Sequence, residues 1–169
     1  MDDQLLVREL RAGREPAFRL LYERHSPALF AFLRHLLGAA REEAGDALQD
    51  VWLRATRDLP RFREQSSFRT WLFGIAVNRC REILRLAGRY ESPEEIEVTA
   101  PPVPLVERLD LGRAIPRLPH RYREVLILHD LYEHTHAEIA AMLGIDEGTS
   151  KSNLSRARAR LRELIGGPS

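Results

Sequence analysis

The chain of 169 residues carries 26 lysines and arginines against 25 aspartates and glutamates, with 44% apolar and 30% charged residues, a balance that suits a soluble globular protein of one ordinary domain or two small ones. Its single cysteine, Cys80, excludes an internal disulfide framework and fits a reducing compartment. The opening residues MDDQ are acidic, no apolar signal core follows, and the longest clean apolar run, ALFAFL, is too short to cross a bilayer or direct secretion, so a cytoplasmic protein without membrane insertion is expected.

Apolar residues at three-and-four spacing predict helices over 2–12, 16–37, 41–59 and 67–87, with Gly13, Gly38 and Pro60 between them as stops. The third of these, REEAGDALQDVWLRATRDL, gathers Ala44, Leu48, Val51 and Ala55 on one side with Trp52 at its edge. Asp46, Gln49, Asp50 and Leu53 line the opposite side, within an acidic block that also holds Glu42 and Glu43. Such a face is either solvated or turned to a basic partner. The fourth helix and its preceding loop, RFREQSSFRTWLFGIAVNRCREILR, interleave aromatic residues with arginines. Phe68, Leu72, Ile75 and Ile83 form a core stripe that Trp71 can join, and Cys80 reads as packed. Seven arginines between Arg61 and Arg89 face only Glu64 and Glu82. They either solubilise the helix or follow the phosphates of a single strand whose bases stack on the rings.

From Gly88 to Pro104 the pattern fails: GRYESPEEIEVTAPPVP has four prolines, four glutamates and little to bury, and it reads as a flexible acidic linker. Helical spacing resumes over 105–115, 121–132, 136–143 and 147–165. The fold class is therefore all-α, with two small helical domains at 1–87 and 105–169 joined by the linker at 88–104, and no internal repeat.

In the second domain, Thr135 and Glu138 form a capping box at a helix start, and Ile139, Met142 and Leu143 share one face of that helix. Gly144 permits a sharp turn, Asp146 can cap the next helix, and Leu154, Ala157, Leu161 and Ile165 supply its buried stripe. Two short helices joined so tightly must cross, which is the helix-turn-helix arrangement whose second helix can enter the major groove. Centred on Leu154, the helical wheel turns Thr149, Ser152, Arg156 and Arg160 outward, flanked by Asn153, Lys151 and Ser155. Five basic residues and no acid lie between Lys151 and Arg162, and these side chains suit base edges and phosphates. A solvated face could carry the same arginines, but the turn and capping box favour the DNA reading.

The segment RLPHRYREVLILHDLYEHTHAEIAAMLGIDEGTSKSNLSRARARLREL resembles promoter-binding region four of bacterial RNA polymerase σ factors of the σ70 family, extracytoplasmic-function (ECF) group, where the pattern runs LPxxxREVLLL and then EIAxxLGxxxGTVKSRLxRARxxL. DALQDVWLRA is similar to the region two signature DLVQETFLRA, and RFREQSSFRTWLFGIAVNRCREILR to the pattern FRTWLYRIAxNxxxDxLR of regions 2.3 and 2.4. The resemblance implies a subunit that binds core RNA polymerase and directs promoter-specific initiation, with no catalysis and no cofactor of its own. It implies that Asp46, Gln49 and Asp50 meet the clamp helices of the largest polymerase subunit. It places the minus-thirty-five contact on Thr149, Lys151, Ser152, Asn153, Ser155, Arg156 and Arg160, and capture of the melted minus-ten strand on Arg61, Phe62, Arg63, Trp71 and Asn78. An anti-σ factor is a further implied partner. The absence of a large insertion between the domains fits the same group, and the acidic linker is either a nucleic-acid mimic or a plain tether.

Four positions depart from the family pattern. Ser150 stands on the apolar side where valine is usual, so Ser150→Val is expected to raise the melting temperature, and Asn153 replaces an arginine. Gly74 replaces a commonly basic residue and Glu82 stands near the usual aspartate. No G-x-x-x-x-G-K, H-E-x-x-H or cysteine pair occurs. His129, His134 and His136, near Asp130 and Glu138, could offer metal ligands, but their spacing matches no familiar site. The rival readings are a stand-alone helix-turn-helix regulator that never engages polymerase, and a metal-dependent sensor or hydrolase built on those histidines.

Overall fold

The first four helices form where the apolar spacing places them. In the computed structural model, which describes residues 1–90 and 110–166, α1 spans Asp3–Arg11, α2 Glu15–Leu37, α3 Ala44–Asp58 and α4 Phe68–Leu86. Asp2 caps α1 by accepting from the Leu5 N–H, and Ser67 caps α4 by accepting from the Thr70 N–H, each satisfying a backbone donor that the helix cannot. Short 3₁₀ turns, Gly38–Glu43 and Leu59–Arg61, lead into and out of α3. Leu21, Phe32, Leu33, Leu36, Val51, Leu72, Phe73 and Val77 are fully buried between α2, α3 and α4, each contributing about 1.5–3 kcal/mol. Trp52 lies inside this core rather than at its edge: it is 4% exposed, its ring packs edge-on against Phe18, and its indole N–H donates to the Ser26 hydroxyl.

The second half contains α5 (Leu111–Ala114), a 3₁₀ turn at Ile115–Arg117, α6 (His120–Leu126), α7 (His136–Leu143) and α8 (Glu147–Ile165). The helix expected over 105–115 is described only from Asp110 onward and yields to the turn at Pro116. α6 does not run evenly to Tyr132; it widens into one π turn, Ile127–Leu131, closed by the Tyr132 N–H on the Ile127 carbonyl. Most of the expected linker, residues 91–104, and residues 105–109 lie outside the described residues. Among the described residues there is no strand, and no helix is long and apolar enough to cross a membrane.

The two halves pack on each other. Tyr132 sets its ring edge-on against Phe32 and Phe73, which stack at 4.5 Å, and its hydroxyl donates to the Ala28 carbonyl. Arg123 of α6 is buried and joins both halves through backbone acceptors, donating to Leu36 O at 3.0 Å, Pro116 O at 2.9 Å and Leu118 O at 3.1 Å. Leu36 O is one of the carbonyls that the end of α2 leaves without a helical partner. Gly38 makes the approach possible: its φ is +56°, and a Cβ there would stand 3.0 Å from Arg123 Nη1. Arg81 of α4 forks onto Glu124 of α6 at 2.8 and 3.0 Å. Burial pushes the Glu124 carboxyl upward, but His120 at 2.6 Å and Arg81 outweigh it and hold the pKa down at about 2.

Candidate nucleic-acid and polymerase interfaces

The turn between α7 and α8 is built as the residues demand. Thr135 accepts from the Glu138 N–H while Glu138 accepts from the Thr135 N–H, both at 3.1 Å. Gly144 takes the left-handed conformation, with φ 66° and ψ 39°, that lets the chain reverse. Asp146 occupies the cap position of α8 with extended backbone, but its side chain accepts no capping bond.

The buried face of α8 is rotated from the one that apolar spacing suggests. Its centre lies on Ser150 and Ala157, both 0% exposed, about 50° around the helix from Leu154. The rotation exposes Ile165 at 39% and buries Leu164 at 3%, correcting the predicted stripe. It also turns Asn153 inward to 9% exposure and leaves Arg160 largely covered and paired with Glu163 at 2.9 Å, so neither belongs to the open face. Thr149, Lys151, Ser152, Ser155 and Arg156 remain exposed. Arg162, missed in the sequence, joins them; centring the wheel on Ala157 would have found it. Arg158 is exposed but held by Asp130.

Ser150 is buried as its wheel position requires, and its hydroxyl meets His136 Nδ1 at 2.7 Å. The polar group is therefore satisfied, and the expected gain from valine is reversed: Ser150→Val strands a histidine nitrogen. His136 also stacks on His129 at 4.7 Å, whereas His134 turns toward Glu138 at 3.4 Å. Burial, then the charges of His129 and Lys151, lower the His136 pKa. Among the described residues no three His, Cys, Asp or Glu side chains are grouped as a metal site would need.

The residues expected to take the melted strand separate into two groups. Phe62 is 7% exposed, stacked on Trp71 at 4.8 Å and covered by the Arg11 guanidinium, which also donates to the Phe62 carbonyl. Its ring is packed as a core element, with little surface open to a stacked base. Arg61, Arg63 and Asn78 are exposed, and Trp71 is half-buried in its stack on Phe62. The intervening loop holds Glu64 at φ +59°, a left-handed conformation uncommon away from glycine.

On α3, Asp46 and Gln49 are exposed and Leu53 is 67% exposed, forming an apolar centre with a polar flank. Asp50 accepts from Arg79 at 2.9 Å, Arg79 also reaches Glu82, and Arg54 forks onto Glu82 at 2.7 and 2.9 Å. The Arg54 bond, and secondarily Arg79, lower the Glu82 pKa. Asp50 is thus a half-exposed member of a network linking α3 to α4, not an isolated charge.

A capped helix-turn-helix carrying an open cationic face, set beside a four-helix body with an acidic and apolar face, is an arrangement suited to binding DNA. Residues 21–90 match the family model for σ70 region 2, and residues 108–161 match that for σ70 region 4. The ECF RNA polymerase σ factor SigM of Mycobacterium tuberculosis is 38% identical over 168 residues, covering 98% of this chain and 85% of the relative. The solved structure of CnrH in complex with the cytosolic domain of CnrY is 27% identical with a TM-score of 0.73, covering 99% of each chain. That of the σ factor RpoE with the anti-σ factor NepR from Bartonella quintana is 29% identical with a TM-score of 0.70, covering 88% of this chain and 96% of the other. The chain belongs to the ECF group of RNA polymerase σ factors and acts in promoter-directed transcription initiation. Nothing in these relationships supports a stand-alone regulator.

Proposed function

We propose that this σ factor binds core RNA polymerase through Asp46, Gln49 and Leu53 of α3, with Asp50 held ready by Arg79, and that the partner surface is the basic clamp helices of the largest subunit. The exposed α8 face of Thr149, Lys151, Ser152, Ser155, Arg156 and Arg162 reads the minus-thirty-five element, and Arg61, Arg63 and Asn78 follow the melted minus-ten strand, together with Trp71. The protein contributes recognition, works in the cytoplasm and leaves catalysis to the polymerase. The observation that carries this reading is the exposure of Lys151, Ser152 and Arg156 on a helix whose opposite face is sealed into a helix-turn-helix core.

The domains divide near 87 and 105, and they separate in use. The two promoter elements are named for positions about 25 base pairs apart, or roughly 85 Å of duplex at about 3.4 Å per pair. A folded chain of this length is only about 40 Å across, from a radius of gyration of about 15 Å. The docked arrangement therefore cannot touch both elements, whereas the linker at 88–104 reaches roughly 60 Å when extended. Binding to core polymerase supplies the energy that opens the Arg123 and Arg81 joints. The RpoE relative is solved with an anti-σ factor, and a protein of that class is the partner that holds this chain inactive. Elution of the chain with core polymerase, lost on Asp46→Lys together with Leu53→Glu, tests the proposal; binding unaffected by the double change would refute this docking face.

A further inference from the structure

The two halves meet around a cationic cleft that the promoter and polymerase contacts leave unused. Its volume is about 660 Å³, and Arg34, His35 and Arg41 enter it from the end of α2 and the following turn, while Arg113 and Arg117 enter from α5 and the turn after it. Ala31, Gly38, Ala39, Gly112 and Pro116 complete the wall, and among the described residues no carboxylate lines it. Arg34, Arg41 and Arg113 make no ion pair with any carboxylate of the described residues.

Several arginines that serve the fold are matched: Arg54 and Arg79 by Glu82 and Asp50, Arg81 by Glu124, and Arg158 by Asp130. Among the described residues Arg8, Arg19, Arg69 and Arg85 make no ion pair and stand apart from one another, whereas cations without an ion pair gather where the proposed nucleic-acid contacts lie, at Arg61, Arg63, Lys151 and Arg156. The cleft is another such gathering, and it differs from those in shape. Duplex is met by a convex helix that enters a groove, whereas a concave cleft of this volume is the size that receives a small molecule. Behind Gly38 stands the buried Arg123 guanidinium, which adds to the positive field. Burial, and after it the charge of Arg34, lower the His35 pKa. Guanidinium groups bind phosphate oxygens bidentately, and several arginines lining one cleft fit a ligand with more than one phosphate.

We infer that this cleft binds a small oligophosphate, of the inorganic polyphosphate or nucleoside polyphosphate class, and that Arg34, Arg41 and Arg113 hold its phosphates. Because the lining comes from both halves, the ligand is bound by the docked arrangement and not by the separated one. By linkage it opposes the opening that promoter engagement requires, giving the cell a small-molecule brake on initiation.

The test is titration calorimetry on the full chain with inorganic tripolyphosphate, adenosine triphosphate and a single-stranded 20-nucleotide DNA, alongside Arg34→Ala/Arg113→Ala and Lys151→Ala/Arg156→Ala variants. Saturable one-to-one binding of tripolyphosphate, weakened at least tenfold by Arg34→Ala/Arg113→Ala and within twofold of normal in Lys151→Ala/Arg156→Ala, is the expected result. Tighter binding of adenosine triphosphate than of tripolyphosphate assigns the ligand to the nucleotides, and equal or weaker binding assigns it to free polyphosphate. Tripolyphosphate binding that is absent, or that is lost only with Lys151 and Arg156, overturns the inference. So does loss of the DNA strand's affinity on Arg34→Ala/Arg113→Ala without loss of tripolyphosphate binding. Thermal unfolding of each variant separates a lost site from a lost fold, and elution with core polymerase reports on the σ reading independently.

Discussion

Arg123→Met probes the joint between the halves with a side chain of similar length and no charge. Arg123 is 6% exposed and donates to three carbonyls at 2.9–3.1 Å, so the change removes three charge-assisted bonds and leaves the acceptors partly dry. Each such bond contributes about 1.5–3 kcal/mol, and burying methionine in place of a guanidinium recovers part of the sum. The net expectation is a loss of about 3–5 kcal/mol, equivalent to a fall in melting temperature of roughly 10 °C for a chain of this size. Urea unfolding followed by far-ultraviolet circular dichroism measures it, with exposed Arg19→Met as the control expected to change stability by less than about 0.5 kcal/mol. A loss below about 1 kcal/mol for Arg123→Met would show that water satisfies those carbonyls and that the guanidinium does not fasten the halves.

Ser150→Val should lower stability by about 1 kcal/mol by stranding His136 Nδ1, and a raised melting temperature would contradict the observed hydroxyl contact. The Glu124 pKa is depressed on folding, so its contribution is fully present above about 4.5 and fades as the pH falls toward about 2. Glu124→Gln should flatten stability against pH in that window, and an unchanged slope would exclude the Arg81–Glu124–His120 cluster as its source. Phe62→Ala should cost about 3–5 kcal/mol of folding stability, since the ring is packed against Trp71 and Phe68; a stable variant defective only in strand capture would return Phe62 to the DNA surface. Arg156→Ala should weaken binding to the upstream element and reduce its salt slope by about 1, whereas an unchanged slope would remove Arg156 from the phosphate contacts.

Most of the helices, the capping box and the outward Lys151 and Arg156 of α8 were legible because each depends on local spacing. The orientation of α8 was not. Apolar periodicity centred it on Leu154, while two polar residues, Ser150 and Asn153, lie on the buried side, and the histidine that satisfies Ser150 sits 14 positions away. Phe62 among arginines read as a base platform because sequence does not reveal that Trp71 and Arg11 enclose it. Asp50 read as a free acid because its partner Arg79 lies on another helix. Docking of the halves was not legible either, since Arg123 works through backbone carbonyls that every residue carries and Arg81 meets Glu124 across 43 positions.

The most direct measurement is transcription by core polymerase, with and without the full chain, on a library of promoter sequences. Transcripts that appear only with the chain, from templates sharing one upstream and one downstream motif, are the expected result, and Lys151→Ala/Arg156→Ala should relax selection at the upstream motif alone. A chain that binds duplex DNA but neither elutes with core polymerase nor starts any transcript would contradict the account.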